Sequence, residues 1–190
     1  MDINTSRIIE KLSNSDHRGT FIDEHRIKAA VLIPLFKQEG IWRVLFTRRS
    51  QNVQDHKGQV SFPGGSFEWL DENLEATALR ETEEEIGIPR EKITVLGRME
   101  PFASISNFLI TPVVGVLEYP FDVRIAVAEV DKVFSIELEW LANKENREVR
   151  DYTRSNGSVE KVLFFREYEG ELVWGITARI LSQFLELIAS

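Results

Sequence analysis

Four glutamates stand within positions 81–85, in the run Arg80-Glu81-Thr82-Glu83-Glu84-Glu85-Ile86-Gly87-Ile88. Carboxylates at this density have two common uses: a solvated acidic face, or hard oxygen ligands for a divalent cation. On a helix, Glu81, Glu84 and Glu85 fall at i, i+3 and i+4 and share one face. Leu79, Thr82 and Ile86 fall on another, the natural packing face. Like charges at these spacings repel by roughly 0.2–0.5 kcal/mol per pair. They also occupy the last turn, where the helix dipole favours cations. Two local rules are broken together, as expected where function outweighs stability. A bound Mg2+ or Mn2+ would resolve both conflicts.

Phe62-Pro63-Gly64-Gly65 precedes this run and lets the backbone approach a ligand closely. A backbone carbonyl there could complete a metal shell. Further upstream, Arg48, Arg49 and Lys57 cluster in a chain that is otherwise acidic. They are candidates for grip on a diphosphate or phosphate, against the alternative of strand-edge and loop solubility. His56 reads as a surface residue. Phe67 and Trp69 can stack on a base, but packing is the expected use of both.

The elements that must position these groups read as follows. Residues 4–13 form a short amphipathic helix with Ile8, Ile9 and Leu12 on one side. KAAVLIPLF is a buried strand, and Gln38-Glu39-Gly40 turns the chain into a second strand, IWRVLFTRR. SQNVQDHKGQV is a loop and FPGG is punctuation. A helix runs from about Asn73 to Ile86 and is closed by Gly87 at C′, with Pro89 just beyond. ITVLGRM is a strand. FLITPVVGVLEY is strand-like, with interruptions expected at Pro112 and Gly115. VDKVFSI and VEKVLFFREY are strands, the latter preceded by a turn at SNG. EWLANKEN is a helical turn or short helix. GITARILSQFLELIAS is an amphipathic helix with Ile176, Ile180, Phe184 and Leu187 on one face. The mixed order predicts an α/β or α+β domain with a mixed sheet covered by helices.

The chain has 190 residues, 43% apolar and 28% charged, enough to bury a core as one domain. There is no cysteine, which excludes disulfides and thiolate metal sites. The net charge of −8 argues against a nucleic-acid backbone as partner. It leaves room for a small phosphorylated substrate, since a bound cation reverses the field in one cleft. No run is long enough for a membrane span, the first residues do not read as a signal peptide, and a cytoplasmic location is the simplest expectation. The amphipathic terminal helices leave a homodimer open.

The joint pattern resembles the Nudix hydrolase family. Its box reads G, five residues, E, seven residues, R-E-U-x-E-E-x-G-U, with U a bulky apolar residue. Here Gly65 is followed by Arg80-Glu81-Thr82-Glu83-Glu84-Glu85-Ile86-Gly87-Ile88. Thr82 replaces an apolar residue, and the Gly65–Arg80 spacing is one residue longer, which displaces Glu72. The coenzyme A pyrophosphatase branch shares that longer spacing. It also carries L-L-T-x-R-S, three residues, R, three residues, G, three residues, F-P-G-G. This chain has Leu45-Phe46-Thr47-Arg48-Arg49-Ser50, Gly58 and Phe62-Pro63-Gly64-Gly65 at matching intervals, with Gln54 in place of the later arginine. ITPVVGVL, AEVDKVFSI and LVWGITARIL are similar to the branch as well.

The resemblance implies an α/β/α sandwich with a mixed central sheet. The chain would be one Nudix domain, residues 1–190, with 1–27 a helical extension and 64–88 the box. The implied reaction is metal-dependent hydrolysis of a nucleoside diphosphate derivative, and coenzyme A would give 3′,5′-ADP and 4′-phosphopantetheine. ADP-ribose, or nucleotide sensing without cleavage, are the competing readings. The implied metal ligands are Glu81, Glu84, Glu85 and the Gly64 carbonyl, with Arg80 orienting the glutamates. Glu129 matches the branch's acidic position before a short strand and is the candidate base, with Glu81 and Glu84 as alternatives.

Overall fold

The computed structural model describes residues 3–14, 25–53, 56–153 and 157–189. Gln54, part of the first 27 residues and most of the SNG turn lie outside them.

Two strands with buried apolar residues on both faces form the centre: β1 (Ile27–Gln38) and β7 (Phe108–Leu117). They run parallel, from Ile27 opposite Phe108 to Leu35 opposite Val116. Around them are β2 (Ile41–Arg49), β3 (Val60–Ser61), β4 (Gly64–Ser66), β5 (Ile93–Arg98), β6 (Phe102–Ala103) and β8 (Val130–Glu137). The sheet order is β3-β2-β1-β7-β5, with β4 on β1, β6 on β7 and β8 on β2. Every pairing other than β1–β7 is antiparallel, so the sheet is mixed as expected. Glu39 and Gly40 join β1 to β2 with φ of 51° and 85°, the left-handed pair that a two-residue hairpin turn requires.

Alternation along β1 sorts the core into two layers. Ala30, Leu32 and Phe36 pack with Ala78, Ile86 and Ile88, the buried face of α2 (Leu74–Ile86) and the residues after it. Ile33 and Leu35 pack on the opposite face with Ile8 and Leu12 of α1 (Thr5–Asn14), Leu138 and Leu141 of α3 (Leu138–Ala142), and Ile180 and Phe184 of α4 (Gly175–Ala189). The result is a three-layer sandwich with the glutamate helix, among the described α-helices, alone on one side. β9 (Arg147–Thr153) and β10 (Val159–Phe165) form a separate two-stranded sheet.

Three local readings are corrected, and one strand went unread. Ile9 is 43% exposed and does not join Ile8 and Leu12. FPGG leads into a short strand, because Gly64–Ser66 pairs with Ala29–Val31 of β1. β7 is not broken at Pro112 or Gly115. Pro112 falls between the stretch paired with β6 (Leu109, Ile110) and the stretch paired with β5 (from Val113), so its missing N–H opens no ladder. β9 carried no signal, since its residues are nearly all exposed and it lacks an apolar period.

Candidate active site

The box helix α2 starts at Asn73, whose side chain accepts from Ala76 N at 2.9 Å. It ends at Gly87, with φ 70° and its N–H bonded to Glu83 O. The last carbonyls of α2 find partners in a distant loop: Ala126 N donates to Glu85 O and Arg124 N to Ile86 O, both at 2.9 Å. The same loop folds back so that Glu129 N and Val130 N both donate to Ala126 O at 2.8 Å. Ser50 N, at the end of β2, donates to Glu129 O at 2.7 Å. Glu129, 44 residues beyond Glu85 in sequence (129 − 85), is thereby tied to the same end of the helix.

Glu85 is 4% exposed, and Gly64 N donates to its Oε2 at 3.4 Å. Burial first, and then the negative charges of Glu81 and Glu129, push its carboxyl up to about 8, while Arg49 works in the opposite direction. Burial also raises Glu81 above the usual carboxylate range, against the pull of Arg80. Glu84 and Glu129 are exposed. The four acids that the sequence singled out therefore act on one small region of the surface.

Arg80 has more partners than its sequence neighbours foretold. Its Nη1 donates to Glu81 Oε1 and Glu84 Oε2 at 2.9 Å each. Its Nε and Nη2 grip Asp71 at 2.9 and 3.0 Å, and Nη2 also reaches Ser66 O at 3.0 Å. Asp71 further accepts from Thr77 Oγ1 at 2.9 Å and Glu68 N at 3.0 Å. The Arg80 guanidinium, with these other donors, pulls the Asp71 carboxyl down to about 2. Sequence reasoning followed Glu72 as the displaced loop acid, whereas Asp71 occupies that role and Glu72 is exposed. A usable signal was present: Thr77 and Arg80 sit one helical turn apart and share a single acceptor.

The basic candidates separate. Arg49 acts on Glu85, and its Nε is buried without a hydrogen-bond partner. Arg48 turns elsewhere: its Nε and Nη2 donate to Asp131 Oδ2 at 3.0 and 2.6 Å, and its Nη1 to Glu171 Oε1 at 2.9 Å. Lys57 is exposed on the loop before β3. His56 is a surface residue bonded to Gln59. Trp69 was expected to pack, but it is 86% exposed on the turn that carries Asp71.

The donor set suits a hard divalent cation. Two carboxylates with little solvent sit beside further negative charge. Gly65 leaves the necessary room, since a Cβ there would overlap the Glu81 carboxylate. Among the described residues, no three acids stand gathered as a finished shell. Arg80 holds one oxygen each of Glu81 and Glu84, leaving their second oxygens for a cation.

A helix of glutamates on one face of a mixed sheet, fed by a Gly-Gly strand, is the arrangement expected of a Nudix-type domain. The family model described as "NUDIX domain" matches residues 26–155, and the chain belongs to that family. A Photorhabdus laumondii protein named Nudix hydrolase NudL is 36% identical over 167 residues, 88% of each chain. A Nudix hydrolase from M. smegmatis, RenU, shares the fold at TM-score 0.52 and 22% identity, over 62% of this chain and 74% of that one. A C. elegans Ap4A hydrolase does so at 0.50 and 24%, over 60% and 81%. Hydrolases of this family generally use divalent metal ions.

Proposed function

We propose that the chain hydrolyses the pyrophosphate bond of a nucleoside diphosphate derivative, with coenzyme A or an acylated or oxidised form as substrate and 3′,5′-ADP and 4′-phosphopantetheine as products. The convergence of Glu81, Glu84, Glu85 and Glu129 on one region, with Arg49 beside them, carries the hydrolase reading. The substrate reading is supported by the Leu45–Gly65 signature. Its described residues include the end of β2, β3 and β4, and β4 packs against the box helix. The working unit is residues 1–190, with 1–27 as an extension and 64–88 as the box.

Glu81, Glu84, Glu85 and the Gly64 carbonyl are the groups that would hold Mg2+ or Mn2+. Such an ion supplies positive charge for the pyrophosphate oxygens and acidifies a water. Arg80, seated by Asp71, fixes the Glu81 and Glu84 rotamers. Arg49 and Lys57 meet phosphate oxygens. Arg48, already committed to two carboxylates, serves the frame. Glu129 takes the proton of the attacking water as the water oxygen bonds to phosphorus and the bridging P–O bond breaks. The surroundings contribute position and charge, which dominate phosphoryl chemistry.

The test is incubation with coenzyme A, and with ADP-ribose in parallel, under Mg2+ or Mn2+, with products identified by mass and Glu85→Gln as control. Wild-type formation of 3′,5′-ADP and phosphopantetheine supports the reading. Cleavage of ADP-ribose alone overturns the substrate. Cleavage of neither, with Mn2+ still raising the melting temperature, favours a nucleotide-sensing domain.

A further inference from the structure

We propose that Glu171 is a positioning residue for the hydrolytic site, acting through the β2–β8 pair. This rests on the reading of Glu129 and Arg49 as site groups. Glu171 lies outside the 26–155 segment that matches the family model. It is 3% exposed. A turn through Glu169 and Gly170, with φ of 50° and 82°, carries it inward. The turn is closed by Tyr168 N to Glu171 O at 3.0 Å and Glu171 N to Tyr168 O at 2.9 Å. Phe165 N to Val173 O at 2.8 Å closes it one step further out, with both side chains in the core.

Its carboxylate does one thing. Oε1 accepts from Arg48 Nη1 at 2.9 Å and from Lys132 Nζ at 2.8 Å. Those two cations stand directly opposite each other on β2 and β8. Like charges in that register destabilise a strand pair, and a shared buried carboxylate converts the repulsion into a clamp. The clamp falls where it matters for the site. Immediately beyond Arg48 the register shifts at a bulge, and Arg49 pairs with Val130. Arg49 is the next residue on one strand. Glu129 directly precedes the other, and its carbonyl receives Ser50 N. Two site groups that are not on the box helix therefore hang from the two strand ends that Glu171, with the Arg48–Asp131 pair, holds together. The box glutamates hang from α2, which Glu171 does not touch. The clamp sets how Arg49 and Glu129 stand to each other, while the Arg124 and Ala126 amides tie the Glu129 loop to the end of α2, and in-line attack is sensitive to errors of about 1 Å.

The experiment uses the full chain with Glu171→Gln, which keeps shape and removes charge. Hydrogen exchange at the Ser50 amide should speed up about tenfold or more, while the α2 amides keep their protection. The Mn2+-induced rise in melting temperature should persist, because the box is untouched. On the substrate that wild type cleaves, kcat should fall roughly 10- to 100-fold, with KM changed by less than about threefold. Adding Lys132→Met removes one of the opposed cations and should recover most of the lost kcat. If Glu171→Gln folds poorly, Glu171→Asp with the same readouts replaces it, with a smaller loss in the same order. Unchanged Ser50 protection and unchanged kcat per folded molecule would overturn the proposal, leaving Glu171 a packing ion pair. A wild type that cleaves nothing overturns the hydrolase reading alone, and the exchange measurement still decides whether Glu171 holds the strand ends.

Discussion

Asp71→Asn is the substitution whose consequences can be worked furthest. Asp71 is 5% exposed at its side chain and meets Arg80 through two charge-assisted bonds at 2.9 and 3.0 Å. Its carboxyl is lowered from 3.8 to about 2 in the folded chain. A fall of nearly two units corresponds to about 2.5 kcal/mol in favour of the ionised native form, little screened at this exposure. Asparagine keeps the shape and loses that charge. For a domain of this size, 1 kcal/mol moves the melting temperature by roughly 2–4 °C, so the variant should melt about 5–10 °C lower near pH 7. The gap has a pH signature. Because the folded value is depressed, the contribution is full above about pH 4 and disappears as pH falls through about 2. Melting curves for both proteins from pH 8 down to 2.5 should run parallel and then converge. There is also a functional arm. Arg80 without Asp71 keeps Glu81 and Glu84 as partners, so it competes harder for the oxygens a cation needs. The Mn2+ concentration giving half-maximal stabilisation should rise by about tenfold, or 1.4 kcal/mol. Equal melting temperatures at pH 7, or a gap at pH 2.5 as wide as that at pH 7, would refute the account of Arg80 as seated by Asp71.

Three further outcomes follow from the same geometry. Burial raises Glu85 to about 8, so its stabilising contribution to the metal-free protein is complete below about pH 4.5 and is lost as pH rises through 8. Glu85→Gln should therefore melt above wild type at pH 8.5 without metal, by roughly 3 °C or more, and should show no response to Mn2+ in thermal denaturation. Gly65→Ala puts a methyl group into the Glu81 carboxylate; titration should show weakened Mn2+ stabilisation, while circular dichroism stays that of wild type. Glu129 is exposed, so Glu129→Gln should leave the melting temperature within about 1 °C and lower kcat by roughly 10²–10⁴.

The sequence by itself determined most of what is local. Asn73 and Gly87 bound α2 as cap and C′ residue because each supplies a specific conformation or acceptor to one helix end. The i, i+3, i+4 spacing was enough to put three glutamates on one face, the 3.6-residue period placed α4, the 2-residue period placed β2, and the continuous apolar run placed β1. Exposed elements escaped, β9 above all, because a strand that buries nothing has no apolar period to read. Whatever depended on groups far apart in the chain was decided only by the tertiary structure. Arg48 and Arg49 are adjacent and chemically identical, yet one is taken by Asp131 and Glu171 while the charge of the other acts on Glu85 and its Nε is buried unpaired. A bulge separates them on β2, and only the assembled sheet determines what waits at each. Asp71 rather than Glu72 meets Arg80 for a similar reason: the turn from Glu68 to Asp71 fixes which carboxylate swings under the helix. The raised value at Glu85 has no sequence signature either, because desolvation comes from the layers packed around it.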